Sequence, residues 1–191
     1  MTRASDDGIA SEVFDELLTA ARANAPWAFE RLYTELAPSV AGYLRLHGAV
    51  EPAELTNEVM LGVFRGLGSF EGDAAGFRSW VFTIAHRRLV DERRRNSARP
   101  QTTQLSDSHT HALGGDVEQE AFASLADTQV ERLLEHLTAE QREVVLLRVV
   151  ADLSVEQVAH VLGKRVGAVK MLQRRGLSTL RQMLESEGVA P

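Results

Sequence analysis

The chain contains no cysteine in its 191 residues, so disulfides, thiolate nucleophiles and cysteine-ligated metals are all excluded. Apolar runs are short. In VVLLRVV at 144–150 an arginine interrupts, and nothing reads as a bilayer-spanning segment or a signal peptide. No stretch alternates long enough to argue for a strand. Lysine is nearly missing too: of 21 basic residues only Lys164 and Lys170 are lysine, the arginine bias of a GC-rich genome. Phosphate loops and metalloprotease signatures do not occur, and the glycines of GKRVGAVK stand too close for a phosphate loop. His109 and His111 form an H-x-H without a third ligand nearby, and Asp91 beside His86 reads as a helix-surface pair. No catalytic residue, metal or cofactor is expected.

What is present is an uneven distribution of charge. The formal net charge is -6, yet residues 163–184 carry six basic side chains and no acid. Residues 77–99 hold seven arginines against Asp91 and Glu92, a net of +5. Once these blocks of +6 and +5 are set aside, the rest of the chain carries -17. The two basic blocks are local footprints on a surface that otherwise repels polyanions.

Periodicity predicts an all-α chain of two small helical domains joined by a flexible linker. From Phe14 to about Arg95 apolar residues recur at three- and four-residue spacing, with breaks expected at Pro26 and Pro38. In PAELTNEVMLGVFRGL, Leu55, Val59, Val63 and Leu67 fall at every fourth position; the glycine-rich LGSFEGDAAG reads as a loop before an amphipathic helix over FRSWVFTIAHRRLVDERRR. Residues 96–116 have only four apolar side chains and no period, which places the domain boundary there. The expected units are a tail over 1–13, a first domain over 14–95, a linker over 96–127, a second domain over 128–184 and a tail over 185–191.

The second domain begins with a helical stripe of Val130, Leu133, Leu134 and Leu137. Thr138-Ala-Glu-Gln141 and Ser154-Val-Glu-Gln157 are two capping boxes, each opening an apolar-periodic run. Gly163 is placed to end the second of these helices in a left-handed cap, with a new helix from about Val166. Two short helices joined at a glycine make a helix-turn-helix over 154–175. On its second helix Val169, Leu172, Gly176, Leu180 and Met183 share one face, while Lys170, Arg174 and Arg181 point away from it. Such a helix lies in the major groove, where early residues reach base edges and other cations hold phosphates. Arg165, Ala168, Lys170 and Arg174 are the candidates for the groove, Arg175 and Arg181 for phosphate.

In combination these motifs resemble the extracytoplasmic-function sigma factors, a class of bacterial transcription-initiation factors, over nearly the whole chain. EPAELTNEVM at 51–60 is similar to the family's DAEDLTQEVF, matching at Leu55, Thr56, Glu58 and Val59 and departing at Pro52, Ala53 and Met60. FRSWVFTIAHRRLVDERRR is similar to its F-x-x-W-L-x-x-I-A segment ending in D-x-x-R-R, and LTAEQREVVLLR and GAVKMLQRRGLSTLR to the regular stretches of its region 4. The resemblance implies a region 2 that docks on the β′ coiled coil of RNA polymerase through Glu51, Glu54, Leu55, Glu58 and Val59, and a region 4 that sits at the β flap. It implies that Phe70, Phe77, Arg78, Trp80, Arg87, Arg88 and Arg94 serve the −10 element and promoter melting, with an aromatic loop to stack an extruded base. Phe77 and Trp80 also suit a core role behind that loop. The helix-turn-helix would read the −35 element.

Expected partners are core polymerase, promoter DNA and an anti-sigma factor, with a monomer when free and a cytoplasmic location. After Leu184 only ESEGVAP follows, so no added sensory domain is expected. The chain departs from the family at Ile84-Ala85-His86-Arg87, where asparagine commonly follows, and has Ala168 and Met171 where hydroxyl residues are common, so neither promoter sequence carries over. A rival reading is a helix-turn-helix regulator with an N-terminal sensor domain. It leaves the arginine-rich end of the first domain without a purpose.

Overall fold

The computed structural model describes residues 4–98 and 129–186, and among them there are helices and no strand. In chain order these are α1 (Ala4–Arg22), α2 (Pro26–Leu46), α3 (Pro52–Gly66), a 3-10 turn (Leu67–Ser69), α4 (Ala74–Ala98), α5 (129–135), α6 (Ala139–Val149), α7 (Val155–Leu162) and α8 (Val166–Ser186). The all-α expectation holds. Helix α1 starts ahead of the expected 1–13 tail boundary. Helix α4 runs to Ala98, beyond the expected start of the linker at 96. The remainder of that linker, with His109 and His111, lies outside the described residues.

Both prolines of α2 were read as breaks, and only one is. Pro26 occupies the first turn, where a missing N–H costs nothing, but Pro38 sits inside the helix. Its ring faces solvent while Ala37, Val40, Tyr43 and Leu44 are buried, so packing along one face carries the helix through the lost hydrogen bond.

The first unit packs α2, α3 and α4 around Leu32, Val40, Tyr43, Val59, Met60, Val63, Val81, Phe82 and Leu89, closed at one end by α1 through Leu17, Leu18 and Ala21. Burying side chains of this size contributes roughly 1.5–3 kcal/mol each. Gly66 is required by this packing: a Cβ there would stand 2.8 Å from the Trp80 indole, which crosses the end of α3.

In the second unit the two capping boxes form as read. Thr138 Oγ1 accepts from the Gln141 backbone at 3.3 Å and Ser154 Oγ from that of Gln157 at 3.1 Å, and each glutamine side chain accepts from its own N-cap N–H in return. Gly163 ends α7 at φ 61, the left-handed conformation glycine adopts without penalty. Helices α6 and α8 approach closely at Gly176, whose added Cβ would lie 3.0 Å from Val145. Arg148, the charge that interrupts VVLLRVV, donates to the Leu153 carbonyl and holds the turn between α6 and α7.

Candidate nucleic-acid interface

Helix α8 separates its faces cleanly. Val169 and Gly176 are buried against α6, Leu172, Leu180 and Met183 are half-buried beside them, and Arg165, Lys170, Arg174, Arg175 and Arg181 are exposed. Ala168 is half-buried near the start of the helix. The stripe is thus a single cationic surface immediately after the glycine turn. Among the described residues Arg181 is the one of these five that meets an acid, Glu185 Oε1 at 2.8 Å, in a solvent-facing pair that screens it only weakly. Lys164 is drawn off toward α6, where Nζ lies 2.5 Å from Glu140 Oε1. Met171 was not assigned a role by the sequence, yet it is 44% exposed and lies one turn from Arg174 on the same side. An apolar side chain there suits the thymine methyl group in a major groove.

In the first unit Phe77 takes the core role that the sequence also allowed it, and Phe70 is buried with it rather than free in the loop. Phe70 and Phe77 are buried, 8% and 2% exposed, and cannot present a free stacking face. They pack edge to face with ring centroids 5.0 Å apart, Trp80 lies 5.2 Å from Phe70, and Phe14 of α1 closes the cluster 5.3 Å from Phe77. The physical reason is burial: an amphipathic helix end and the loop before it gain more from enclosing three rings than from exposing them. Trp80 is half-buried. Along α4, Arg78 is half-buried and Arg87, Arg88 and Arg94 are exposed. Arg22, which no motif singled out, donates from Nη2 to the Phe70 carbonyl and from Nε to that of Leu67 at 3.4 Å, fixing the loop from α1. Asp73 Oδ1 accepts from the Gly76 N–H at 2.7 Å and starts α4 three residues before the sequence placed it.

The acidic strip on α3 is partly as read. Glu51, Glu54 and Glu58 are exposed, but Leu55 and Val59, assigned to polymerase contact, are 4% and 0% exposed and belong to the core. Their fourfold spacing marks the inward stripe, and a residue cannot serve both faces. The outward apolar residue on α3 is Leu61, 52% exposed, and beside it Tyr33 of α2 donates from its hydroxyl to Asn57 Oδ1 at 2.9 Å. Tyr33, Ala37, Pro38, Ala41, Thr56 and Asn57 line a shallow groove of about 400 Å³ between α2 and α3. Tyr33 was not legible from the α3 motif because it comes from a different helix, and Leu61 lies one residue past the matched stretch 51–60. Arg88 reaches Glu58 at 4.0 Å, so one candidate from each interface meets its opposite at their border.

A polar cluster lies beneath this unit. Tyr43 Oη is 3.1 Å from His86 Nδ1, and Arg93 Nη2 donates to the His47 carbonyl at 2.7 Å. Burial, then the Arg93 guanidinium, then His86 and Arg142 push His47 down to about 3, so it is neutral. His86 is lowered first by burial, while burial raises Tyr43. His86 was read as a surface residue paired with Asp91; it is half-buried and faces Tyr43 instead. Among the described residues no group of three or more His, Asp or Glu side chains is placed to hold a metal, and no helix is long and apolar enough to cross a membrane.

Comparison with known proteins accounts for both units. Residues 32–99 match the family described as Sigma-70 region 2, and residues 127–180 match Sigma-70, region 4. The chain is 30% identical over 174 residues to the ECF RNA polymerase sigma factor BldN of Streptomyces coelicolor, covering 90% of this chain and 66% of that protein, just under two thirds of its length. It is 31% identical over 186 residues to the ECF RNA polymerase sigma factor SigD of Mycobacterium tuberculosis, covering 93% of this chain and 86% of the relative. Among solved structures, CnrH in complex with the cytosolic domain of CnrY has a TM-score of 0.63 at 22% identity, covering 89% of this chain and 96% of that one. RpoE of Bartonella quintana in complex with the anti-sigma factor NepR has a TM-score of 0.58 at 17% identity, covering 82% and 96%. These two likenesses show the fold. The identity to SigD over most of both chains, with region 2 and region 4 matched in order, sets aside the sensor-domain regulator: the chain belongs to the extracytoplasmic-function RNA polymerase sigma factors.

Proposed function

We propose that this sigma factor binds core RNA polymerase through the exposed face of α3, opens the promoter at the −10 element with the first unit, and reads the −35 element with α8. The observation that carries the reading is the α8 stripe: a bare cationic face after a glycine turn, in a chain that is otherwise acidic. A solvated charge face needs no helix-turn-helix beneath it.

The polymerase surface is acidic and apolar together: Glu51, Glu54 and Glu58 beside Leu61 and the Tyr33 groove, which suits the β′ coiled coil. Region 4 would sit at the β flap. In the first unit Arg78, Arg87, Arg88 and Arg94 hold the separated strand, and the buried rings support the loop rather than stack a base. The protein acts in the cytoplasm as a DNA-recognition subunit without catalytic chemistry of its own, is a monomer when free, and takes an anti-sigma factor as its inhibitor. The Bartonella relative is described with such a factor, which supports that partner here.

Run-off transcription from genomic fragments with purified core polymerase tests the whole reading, since an ordinary repressor or activator cannot start transcription from core alone. Glu58→Arg should lose co-elution with core while its helical circular dichroism is kept; normal co-elution removes the α3 assignment. Within the holoenzyme, Arg174→Ala should cost about 1–3 kcal/mol of binding and relax preference at one −35 position if it reads a base. Arg181→Ala should weaken all sequences alike. Unchanged discrimination by the Arg174 variant would leave α8 a phosphate-gripping face only.

A further inference from the structure

The glycines of the second unit stand in different surroundings, and the fold requires two of them. Gly163 is left-handed at φ 61, and at Gly176 an added Cβ would stand 3.0 Å from Val145. Gly167 has neither reason. It lies within α8 without a positive φ, it is exposed, and an added Cβ there would meet nothing within 4 Å. Glycine in a helix also costs stability relative to alanine, because it loses more conformational freedom on folding. A helical residue that folding disfavours and that nothing in the chain crowds has one physical use left: it lets another molecule come close to the backbone.

Its neighbours identify that molecule. Gly167, Lys170, Met171 and Arg174 fall at i, i+3, i+4 and i+7, all exposed on the side of α8 opposite the buried Val169 and Gly176. This stripe begins with a hollow and rises to a long apolar side chain one turn later, 44% exposed. Leu177 is equally exposed but stands nearly three turns from the hollow. Cations flank Met171 on the stripe, which favours a polyanion over an apolar protein partner. A helix with its side chains is about 10–12 Å across, and the major groove of B-DNA is about 12 Å wide and about 8.5 Å deep. Depth of entry is therefore limited by the side chains that point at the groove floor. Where one is missing the helix settles closer, and the next side chain on the same stripe is carried to the base edges.

We propose that Gly167 sets how deeply α8 enters the major groove, and that Met171, carried in by that approach, reads the methyl group of one thymine in the −35 element. The inference rests on the functional reading above, in which α8 is the −35 helix. Among the base edges of the major groove the thymine methyl is the apolar feature, and an unbranched thioether is the flexible apolar side chain suited to cover it. Gly167 is thus a positioning residue and Met171 the residue that sets base preference.

Selection by wild-type holoenzyme from promoters randomised across the −35 element supplies the preferred sequence. Replacing each thymidine of that element, on either strand, by deoxyuridine removes a methyl group and leaves the hydrogen bonds of the base in place. Wild-type holoenzyme should lose about fourfold in promoter binding at one position, the size of one CH2 withdrawn from water. Holoenzyme carrying Met171→Ser should bind thymine and uracil alike there. Gly167→Ala should unfold in urea at the same midpoint as wild type or a higher one, and should still co-elute with core. Its holoenzyme should nevertheless lose about tenfold in promoter binding, the size of one mismatched base pair, together with the response to the methyl group. If no thymine methyl matters, or the Met171 variant still responds to it, the proposal is overturned. Wild-type promoter binding by the Gly167 variant also overturns it. So does a lowered unfolding midpoint or a loss of core binding, since the glycine then serves the fold or the polymerase contact. Wild-type holoenzyme that starts transcription from no member of the pool condemns the functional reading instead.

Discussion

In the second unit the candidate DNA cations of α8 stand on one exposed helical face, with the apolar residues that position them directly behind. In the first unit the residues named for DNA divide between surface and interior: Arg87, Arg88 and Arg94 are exposed, while Phe70 and Phe77 form part of the core. The difference follows from how each surface is made. A helix face is set by period alone, and period is written in the sequence. A loop over an aromatic cluster is set by which helices enclose the rings, and that depends on α1 and α3 as much as on α4.

Substitutions can sharpen this contrast. Phe77→Ala should lower the stability of the first unit by about 3–5 kcal/mol, read by urea denaturation, because the ring is fully enclosed among Phe14, Phe70 and Trp80. Arg174→Ala on α8 should leave stability within about 0.5 kcal/mol. A Phe77 variant of wild-type stability that still fails to open promoters would return the ring to the DNA surface.

Acid should also act on the first unit more than the second. His47 is held to about 3 in the folded chain against an ordinary value of 6.5, so the unfolded chain takes up a proton that the folded chain refuses. The stability it contributes is complete above pH 6.5 and is lost as pH falls toward 3, by about 1.4 kcal/mol for each unit below about pH 6. Tyr43, His86 and Arg93 surround it from the first unit, with Arg142 and Glu143 of α6 facing the cluster. His47→Asn should flatten the dependence of stability on pH between 6 and 4; an unaltered slope would place the titration elsewhere.

Smaller effects fall in the second unit. Ser154→Ala removes the acceptor for the Gln157 N–H and should cost about 1 kcal/mol in thermal or urea unfolding. The two glycines of α8 should answer alanine with opposite signs. Gly167 has open space around it, and alanine there should stabilise by about 0.5–1 kcal/mol through helix propensity. At Gly176 the added carbon meets Val145 at 3.0 Å, and the strain should cancel that gain or reverse it. Equal gains at both sites would mean that α6 and α8 are not held as closely as the packing requires.

Much of the second unit is legible in the sequence. Ser154, Gln157 and Gly163 are local signals, each acting within a few residues of where it stands, and the structure places them as the sequence did. Leu55 and Val59 were misread because the matching motif contains both an inward and an outward face, and only packing separates them. Tyr33 was missed for the converse reason: the groove joins two helices, and no single stretch contains it. Pro38 shows the limit of local rules, since a helix buried along one side outlasts a residue that ends helices in isolation.

Arg22 has one more consequence. Its guanidinium holds the carbonyls of Leu67 and Phe70 before any DNA arrives, so the loop ahead of α4 has already lost much of its conformational entropy on folding. A strand laid against it need not spend binding energy on ordering that loop. On the proposed role of this loop, a surface ordered in advance leaves the bending to the nucleic acid, so sequences whose strands part and curve easily would gain an advantage that no side chain reads out base by base.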